Sequence, residues 1–117
     1  MKVYGLDQNL DILRQRNVCP VQATAVGGGT KSPIWLQTVS DVCGIRQVVP
    51  EITIGASYGD AMLAGMGIGA MTTADIKKAV KIKYVVDPDP EKHEKYGPMK
   101  QYFAELYKRS ADIMHAL

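Results

Sequence analysis

The stretch that decides the fold spans residues 25–35 and reads AVGGGTKSPIW. A short β-prone segment, Val21 to Val26, runs directly into three consecutive glycines, which predicts a strand that ends in a glycine turn. Ser32 can then accept a backbone N–H bond as the N-cap of a helix, and Pro33 suits the first helical position. The sequence therefore predicts a strand, a turn and a helix in immediate succession.

The residues that follow predict a continued alternation of strands and helices. The first helix should end near Val42, because Gly44 suits the left-handed position after a helix, and residues 45–49 predict a strand that Pro50 closes. The remaining expected elements are a small-residue helix at 55–65, a helix at 72–80 behind a Thr72–Asp75 capping pair, a strand at 81–87, and a last helix from about residue 91 or 98.

Apolar residues in the last two elements predict how these elements pack. Alternation along 81–87 predicts one buried and one largely solvated face, the first carrying Ile82, Tyr84 and Val86. The last helix is expected to pack through residues at roughly helical spacing, namely Met99, Phe103, Leu106, Ile113 and Leu117.

The N-terminal residues 1–17 have the apolar stripe of an amphipathic helix, formed by Val3, Leu6, Leu10 and Leu13. Another surface must cover this stripe. Because Met1 opens directly on the pattern without a capping residue, we expect the helix to belong to a longer element. We therefore interpret residues 1–117 as a single partial domain.

Length and composition limit the class of protein. With 117 residues, of which 46% are apolar and 22% charged, the chain forms one domain at most and is neither a disordered tail nor a multidomain machine. Residues 61–74, one of the two longest stretches without a formal charge, are fewer than the roughly 20 apolar residues that a spanning helix needs. Asp7 and Asp11 interrupt any secretory signal, so we expect a cytoplasmic protein without a membrane partner.

Charge and cysteine content make several kinds of partner improbable. A net charge of +2 lacks the concentrated positive field of a nucleic-acid-binding protein. Cys19 and Cys43 are too few for a disulfide framework or a zinc site, and both are expected to be reduced, buried thiols. A modest basic run is interpreted as a solvated face, and it comprises Lys77, Lys78, Lys81 and Lys83.

Two glycine patterns imitate nucleotide-binding motifs without meeting their requirements. A P-loop needs glycine directly before Lys31 and another five residues earlier, but Thr30 and Ala25 hold those places. Residues 65–70 contain the letters of a dinucleotide fingerprint, yet they follow a helical pattern where the motif requires a strand. We interpret residues 65–70 as a helix end and a turn.

Neither a metal site nor a catalytic residue is predicted. The carboxylates at 87–91 alternate with prolines and lack the glycine of a calcium loop, so a solvated turn is favoured. His93 and His115 lie far apart and have no ligand-like neighbours; we expect surface or helix-packing roles for both. No set of nucleophile, base and orienting group can be assembled. The glycine turn at 27–29 thus remains the best functional signal, although such turns before helices are common.

The stretch at 25–35, followed by Asp41-Val42-Cys43-Gly44, closely resembles the adenosine-binding loop and helix of FGGY carbohydrate kinases, especially the xylulokinase-like group. Later segments that resemble the family also occur in the family's order. They are residues 49–51, the small-residue helix through residues 59–65, Gly67, and the tail with residues 88–90, His93, Tyr96 and residues 106–107. The resemblance implies an α/β fold with short strands and packing helices, forming the end of the C-terminal lobe of an actin-like ATPase (ribonuclease H-like) fold.

In that family ATP lies in the cleft between two lobes, and the glycine turn passes close to adenine and ribose. The resemblance therefore implies a nucleotide-binding role for Gly27, Gly28, Gly29 and Thr30, with Ser32 and Pro33 as neighbours. Glycine permits close approach, and the helix that begins at Pro33 offers oriented N–H groups, so bulk at the turn should block ATP.

The activity implied is transfer of the γ-phosphoryl group of ATP to a sugar hydroxyl, with xylulose or a related pentulose or polyol as acceptor. The family's Asp-Gly-Thr phosphate segment, sugar pocket and catalytic aspartate lie upstream and are absent here. Magnesium would be held mainly by that missing N-terminal lobe, and we expect residues 1–117 alone to be inactive. The sequence departs from the family at Asp60, where a small apolar residue is common, and near Ile54, where an acidic residue is common.

One other class of function remains open. The chain could be a non-catalytic module that binds nucleotide weakly or pairs with another chain, such as a second copy, through the stripe of Val3, Leu6, Leu10 and Leu13. A nucleic-acid-binding domain would depend only on the lysine run and the small net charge, so we expect no nucleic-acid partner.

Overall fold

The computed structural model describes residues 2–116, in which helices and short strands alternate as the sequence predicts. The elements in chain order are α1 (Lys2–Gln15), β1 (Gln22–Thr24), a 3₁₀ helix (Gly28–Lys31), α2 (Pro33–Cys43), β2 (Arg46–Pro50), α3 (Ala56–Gly67), α4 (Thr73–Ala79), β3 (Ile82–Val86) and α5 (Pro90–His115).

The predicted helix signals act as expected in the structure. Ser32 Oγ accepts the Trp35 N–H at 3.3 Å at the start of α2, and Gly44 ends this helix with φ 61° and ψ 35°. Thr72 and Asp75 form a reciprocal capping pair at α4, and the side-chain hydrogen bond from Thr72 lowers the pKa of Asp75. Residues 65–70 form a helix end and a turn, with φ 73° at Gly69.

Helix α5 begins at the earlier of its two predicted starting points. The Asp89 carboxylate caps it by accepting the N–H groups of Glu91 and Lys92, and the bond from Lys92 contributes most to lowering the pKa of Asp89. The helix continues through Pro98, whose missing N–H removes one backbone bond without ending the helix. No helix among residues 2–116 is both long and apolar enough to traverse a bilayer.

The three strands form one sheet in the order β1-β2-β3. Strands β1 and β2 are parallel, with Ala23 opposite Gln47, and α2 makes the crossover between them. Strand β3 is antiparallel to β2, with Tyr84 opposite Val49. The glycine turn and residues 51–55 therefore both follow the carboxyl ends of parallel strands and meet at one edge of the sheet.

A buried polar network holds α2 against this sheet. The Gln47 side-chain amide donates to Leu36 O at 2.6 Å and to Ser40 Oγ at 2.8 Å, and Ser40 Oγ donates to Val86 O at 3.2 Å. The buried carboxylate of Asp41 accepts the N–H of Asp89 at 2.8 Å, which ties α2 to the start of α5. Both strands β2 and β3 are thereby fixed relative to α2.

The apolar core lies between α2, α1 and the strand β2. Its main cluster consists of Val3, Val39, Val42, Cys43 and Ile45. Other residues of the chain thus cover half of the predicted N-terminal stripe, because Val3 is buried and Leu10 packs on the cluster. Only Leu6 and Leu13 remain exposed, which removes half of the stripe proposed as a dimer surface.

The cysteine prediction is wrong for one residue. Cys43 is fully buried in the core, where burial raises the pKa of its thiol to about 11, so it remains protonated at neutral pH. Cys19 is exposed, because it lies in the loop after α1, outside the packed helices.

The expected buried face of β3 is also not found in residues 2–116. Ile82 and Tyr84 are 48% and 37% exposed, and only Val86 is half-buried, because no described element packs over the first part of this strand. In α5, Met99, Leu106 and Ile113 are exposed, whereas Phe103 contacts Tyr4 with ring centroids 5.6 Å apart. Leu117, the last residue of the predicted stripe, lies outside the described residues.

The two histidines occupy the expected surface and packing positions. His115 is exposed near the end of α5. His93 packs against α2, and its Nδ1 donates to Asp41 O at 2.8 Å. A Cβ at Gly44 would lie only 2.8 Å from His93 Cε1, so the ring fills the space that glycine leaves open.

A buried ion pair joins α1 to α5. The Asp7 carboxylate is 2% exposed, and Lys100 Nζ lies 2.9 Å from its Oδ2. Arg14 Nη1 lies 4.0 Å from Asp7 Oδ1, and that oxygen has no hydrogen-bond partner among the described residues. Lys100 is therefore the main partner of a carboxylate that is almost fully buried.

We expect Lys100→Met to lower the free energy of unfolding by about 3 kcal/mol, because it leaves the buried Asp7 charge without its nearest partner. Urea denaturation measures the change. Lys95→Met, which removes an exposed pair with Glu91, should cost less than about 0.5 kcal/mol. Equal losses in the two variants would contradict this role for Lys100.

Candidate functional site

The glycine turn is anchored to the neighbouring loop through Gly27. This residue has φ 83° and ψ −167°, a conformation that side chains other than hydrogen disfavour. Its N–H donates to Thr53 O at 2.6 Å, and its carbonyl oxygen accepts the Thr30 hydroxyl at 2.7 Å. The loops that follow β1 and β2 are therefore joined at the edge of the sheet.

Gly29 and Gly28 are glycines for different reasons. A Cβ at Gly29 would lie 3.0 Å from Trp35 Nε1, so the indole ring of this chain already occupies that space. A Cβ at Gly28 would have no atom within 4 Å, and its φ lies outside the left-handed region. Nothing within residues 2–116 therefore requires a glycine at position 28.

The turn also presents unpaired backbone donors. In the described part of the chain, the N–H groups of Gly28 and Gly29 make no hydrogen bond, and both residues are exposed. The adjacent donors are used, since Thr30 N–H binds Gly27 O and Ser32 N–H binds Gly29 O, each at 3.2 Å. The exposed side of the turn can thus donate hydrogen bonds to a molecule outside the chain.

Two clefts lie beside the turn, and Thr30 lines both. The apolar cleft has a volume of about 270 Å³ and is lined by Leu6, Thr24, Ala25, Val26, Gly29, Thr30, Trp35, Leu36, Val39 and Gln47. The lysine cleft has a volume of about 440 Å³ and is lined by Thr30, Lys31, Pro33, Val49, Pro50, Glu51, Thr53, Lys83 and Tyr84.

The structure brings the six predicted site residues to one edge of the sheet and distributes them unequally over these clefts. Gly29 lines the apolar cleft, Pro33 the lysine cleft, and Thr30 both. Gly27, Gly28 and Ser32 line neither cleft. The Ser32 hydroxyl is engaged in capping α2, which makes it a positioning group for the turn.

Sequence reasoning missed several residues of the two clefts. The sequence pattern assigned no role to Trp35, although its ring packs beside Gly29. Lys83 is exposed, as predicted for the basic run, but its place in the lining of the lysine cleft beside Lys31 depends on the pairing of β3 with β2. The alternation of residues 81–87 contained no signal for this pairing. Asp60 and Ile54, which mark the two places where the sequence departs from the family's pattern, are both exposed.

The arrangement is suited to binding. The apolar cleft can take a flat, weakly polar group, while the lysine cleft offers two ammonium groups and the Glu51 carboxylate. Among residues 2–116, no three His, Cys, Asp or Glu side chains come together in a way that could hold a metal ion. The chemistry available at this edge is thus recognition through backbone donors, an apolar wall and lysine charge.

Comparison with known proteins relates this chain to a family of kinases. Residues 3–68 match the FGGY family of carbohydrate kinases, C-terminal domain. The xylulose kinase of Staphylococcus epidermidis is 28% identical over 112 residues, which is 94% of this chain and 23% of that protein. The autoinducer-2 kinase of Escherichia coli is 31% identical over 94 residues, covering 79% of this chain and 18% of that protein.

The fold has a counterpart in a solved structure. The xylulose kinase from Rhodospirillum rubrum superimposes with a TM-score of 0.78 at 25% sequence identity, covering 97% of this chain and 23% of that protein. The present chain spans less than a quarter of the length of the curated relatives that it matches.

Alanine substitutions at the two exposed glycines of the turn should differ in their effect on the free energy of unfolding. Gly29→Ala should lower the free energy of unfolding by about 1–2 kcal/mol, because the new methyl group would press on Trp35. Gly28→Ala should change it by less than about 0.5 kcal/mol, since its Cβ would enter open space. Denaturant titration of both variants provides the measurement. A larger loss for Gly28→Ala would show that the turn needs this glycine for its own stability.

Proposed function

Because the chain belongs to the FGGY family of carbohydrate kinases, we propose that its glycine turn binds the adenosine part of ATP. The residues assigned to this role are Gly27, Gly28, Gly29 and Thr30, with Ser32 and Pro33 as neighbours. The observation that carries the proposal is the open side of Gly28, which no atom of the described chain approaches and beside which two backbone N–H groups have no partner.

The apolar cleft supports a purine as the group bound. Its wall includes the Trp35 ring, Val26 and Leu6, which can cover a flat heterocycle, and the backbone of Gly29 forms part of the same wall. The neighbouring residue in the turn, Gly28, has open space at its Cβ position, so a ligand can approach its backbone more closely than any side chain would allow. Thr30 lies at the border of the cleft, where its hydroxyl is fixed by Gly27 O at 2.7 Å.

For the whole protein, we propose transfer of the γ-phosphoryl group of ATP to a sugar hydroxyl. Xylulose and related pentuloses or polyols are the favoured acceptors, because a xylulose kinase is similar to nearly the entire chain. The similarity to an autoinducer-2 kinase makes a different polyol-like acceptor the main alternative. We propose that the Mg²⁺ that accompanies ATP is held mainly by the N-terminal lobe of the kinase.

We also propose that the exposed apolar surface of the chain contacts the remainder of a two-lobed kinase. Large apolar side chains are exposed along β3 and the second half of α5, including Ile82, Val85, Leu106 and Ile113. Exposed large apolar side chains that lie together on a surface often mark a contact site. Phosphoryl transfer requires ATP, metal and acceptor to be positioned together, which these residues alone do not achieve.

Binding of ATP should change the fluorescence of Trp35, the only tryptophan in the chain, in a saturable way. Gly28→Val should weaken this binding at least about tenfold, because its side chain would block the open face of the turn. Gly67→Val is the matched control, since a Cβ at Gly67 also enters open space but lies at the end of α3. Wild-type fluorescence that does not respond to ATP, or equal affinity in the two variants, would contradict the proposed site.

The purified 117-residue chain should not phosphorylate xylulose when supplied with ATP and magnesium. Sugar-phosphate formation is measured by coupled detection of ADP. We expect a rate equal to that of the same reaction without protein. A turnover number of roughly 1 per second or more, as ordinary kinases have, would show that the chain contains a complete catalytic site.

A further inference from the structure

We propose that residues 52–80, which contain α3 and α4 and which we call the flap, open and close as one unit and hold the glycine turn when closed. Strands β2 and β3 are antiparallel neighbours, and the flap is the part of the chain that leaves one and returns to the other. Glu51 N–H donates to Lys81 O at 2.9 Å, which joins the two ends of the flap. The flap can therefore move without breaking the pairing of the two strands.

The flap is held together by its own contacts. Gly65 O accepts the N–H groups of Ala70 and Met71 at 2.9 and 3.2 Å, which fixes the turn after α3. The Met71 side chain fills the space beside Gly65, where a Cβ would lie 3.0 Å from the sulfur atom. The reciprocal cap of Thr72 and Asp75 starts α4 directly behind this turn. All these contacts are local, so they do not depend on how the flap is docked.

The docking of the flap on the sheet is sparse by comparison. Within residues 2–116, Met62 is the only buried residue of α3, and α4 has none. A cavity of about 210 Å³ lies between the flap and the sheet. Tyr58 and Met62 line it on α3, and Val26 and Pro50 line it on the side of the sheet. The interface thus lacks the close packing of a protein interior, and segments with few buried apolar contacts open at a lower free energy than the whole fold.

The flap contacts the glycine turn at two points. Gly27 N–H donates to Thr53 O at 2.6 Å. The Val26 side chain lies against Gly55, where a Cβ would be 3.7 Å from Val26 Cγ2. Gly55 is the N-cap of α3 and has φ 76°, so a displacement of α3 acts directly on this backbone and on the bond to Gly27. A closed flap therefore holds the turn in place, and an open flap releases it.

Hydrogen exchange of backbone amides in the 117-residue chain, followed by NMR, measures this opening. We expect the hydrogen-bonded amides of α3 and α4 to exchange together, at least about tenfold faster than those of α2. Met62→Ala should speed exchange in the flap and at Gly27 N–H by a further factor of about ten or more, because it removes the one buried side chain of α3. Exchange in α2 should not change. Leu63→Ala, at an exposed position on the same helix, is the matched control and should behave as the wild type.

Nucleotide should close the flap, and this part of the inference rests on the proposed function. At about 100 times the Kd of ATP, exchange in the flap and at Gly27 should slow by up to about 100-fold, because a ligand that binds only the closed form lowers the open population by this factor. Trp35 fluorescence shows separately whether ATP is bound.

Each outcome supports or overturns the inference. Flap amides that exchange at the rate of α2, or as fast as in an unstructured peptide, would overturn it, since the flap would then belong to the core or would not dock. Met62→Ala would also overturn it by matching Leu63→Ala, or by speeding exchange in the flap without affecting Gly27. Bound ATP that leaves flap exchange unchanged contradicts the coupling. If ATP does not bind, the proposed function fails, and exchange without nucleotide still decides whether the flap holds Gly27.

Discussion

The side-chain amide of Gln47 holds the structure together at the point where α2 crosses the sheet. Its two bonds, to Leu36 O and Ser40 Oγ, are buried, and Ser40 in turn donates to Val86 O on β3. A buried amide without these partners would cost more than the bonds contribute, so the position of α2 is strongly specified. Because α2 begins directly behind the glycine turn, the same bonds fix the turn relative to the edge of the sheet.

The elements and their ends could be predicted because their signals are local. Ser32, Pro33 and Gly44 each act within one turn of α2, and the Thr72–Asp75 pair acts within α4. The residues at 25–35 also predicted the FGGY family, which the family match confirms. The similarity to the Rhodospirillum rubrum kinase supports the predicted fold, the C-terminal part of an actin-like ATPase lobe with short strands and packing helices.

Burial was harder to predict because it depends on what lies beside an element. Alternation at 81–87 predicted a buried face on β3, but no described element covers Ile82 and Tyr84. The thiol of Cys19 was expected in the core and lies in an exposed loop. The exposure of Lys83 was predicted, but its place in the lysine cleft was not, since that place follows from strand pairing between distant segments. The nucleotide-binding roles of Gly27–Thr30 stay a prediction that geometry supports.

The contact between Gly44 and His93 has a consequence for how this sequence can vary. Glycine at position 44 satisfies both the left-handed backbone at the end of α2 and the imidazole ring that fills the vacant Cβ space 2.8 Å away. A larger residue at position 44 would displace the ring and break its bond to Asp41 O. Replacement of His93 by a small residue would leave a void beside the glycine. A change at one of these two positions therefore costs least when the other changes with it.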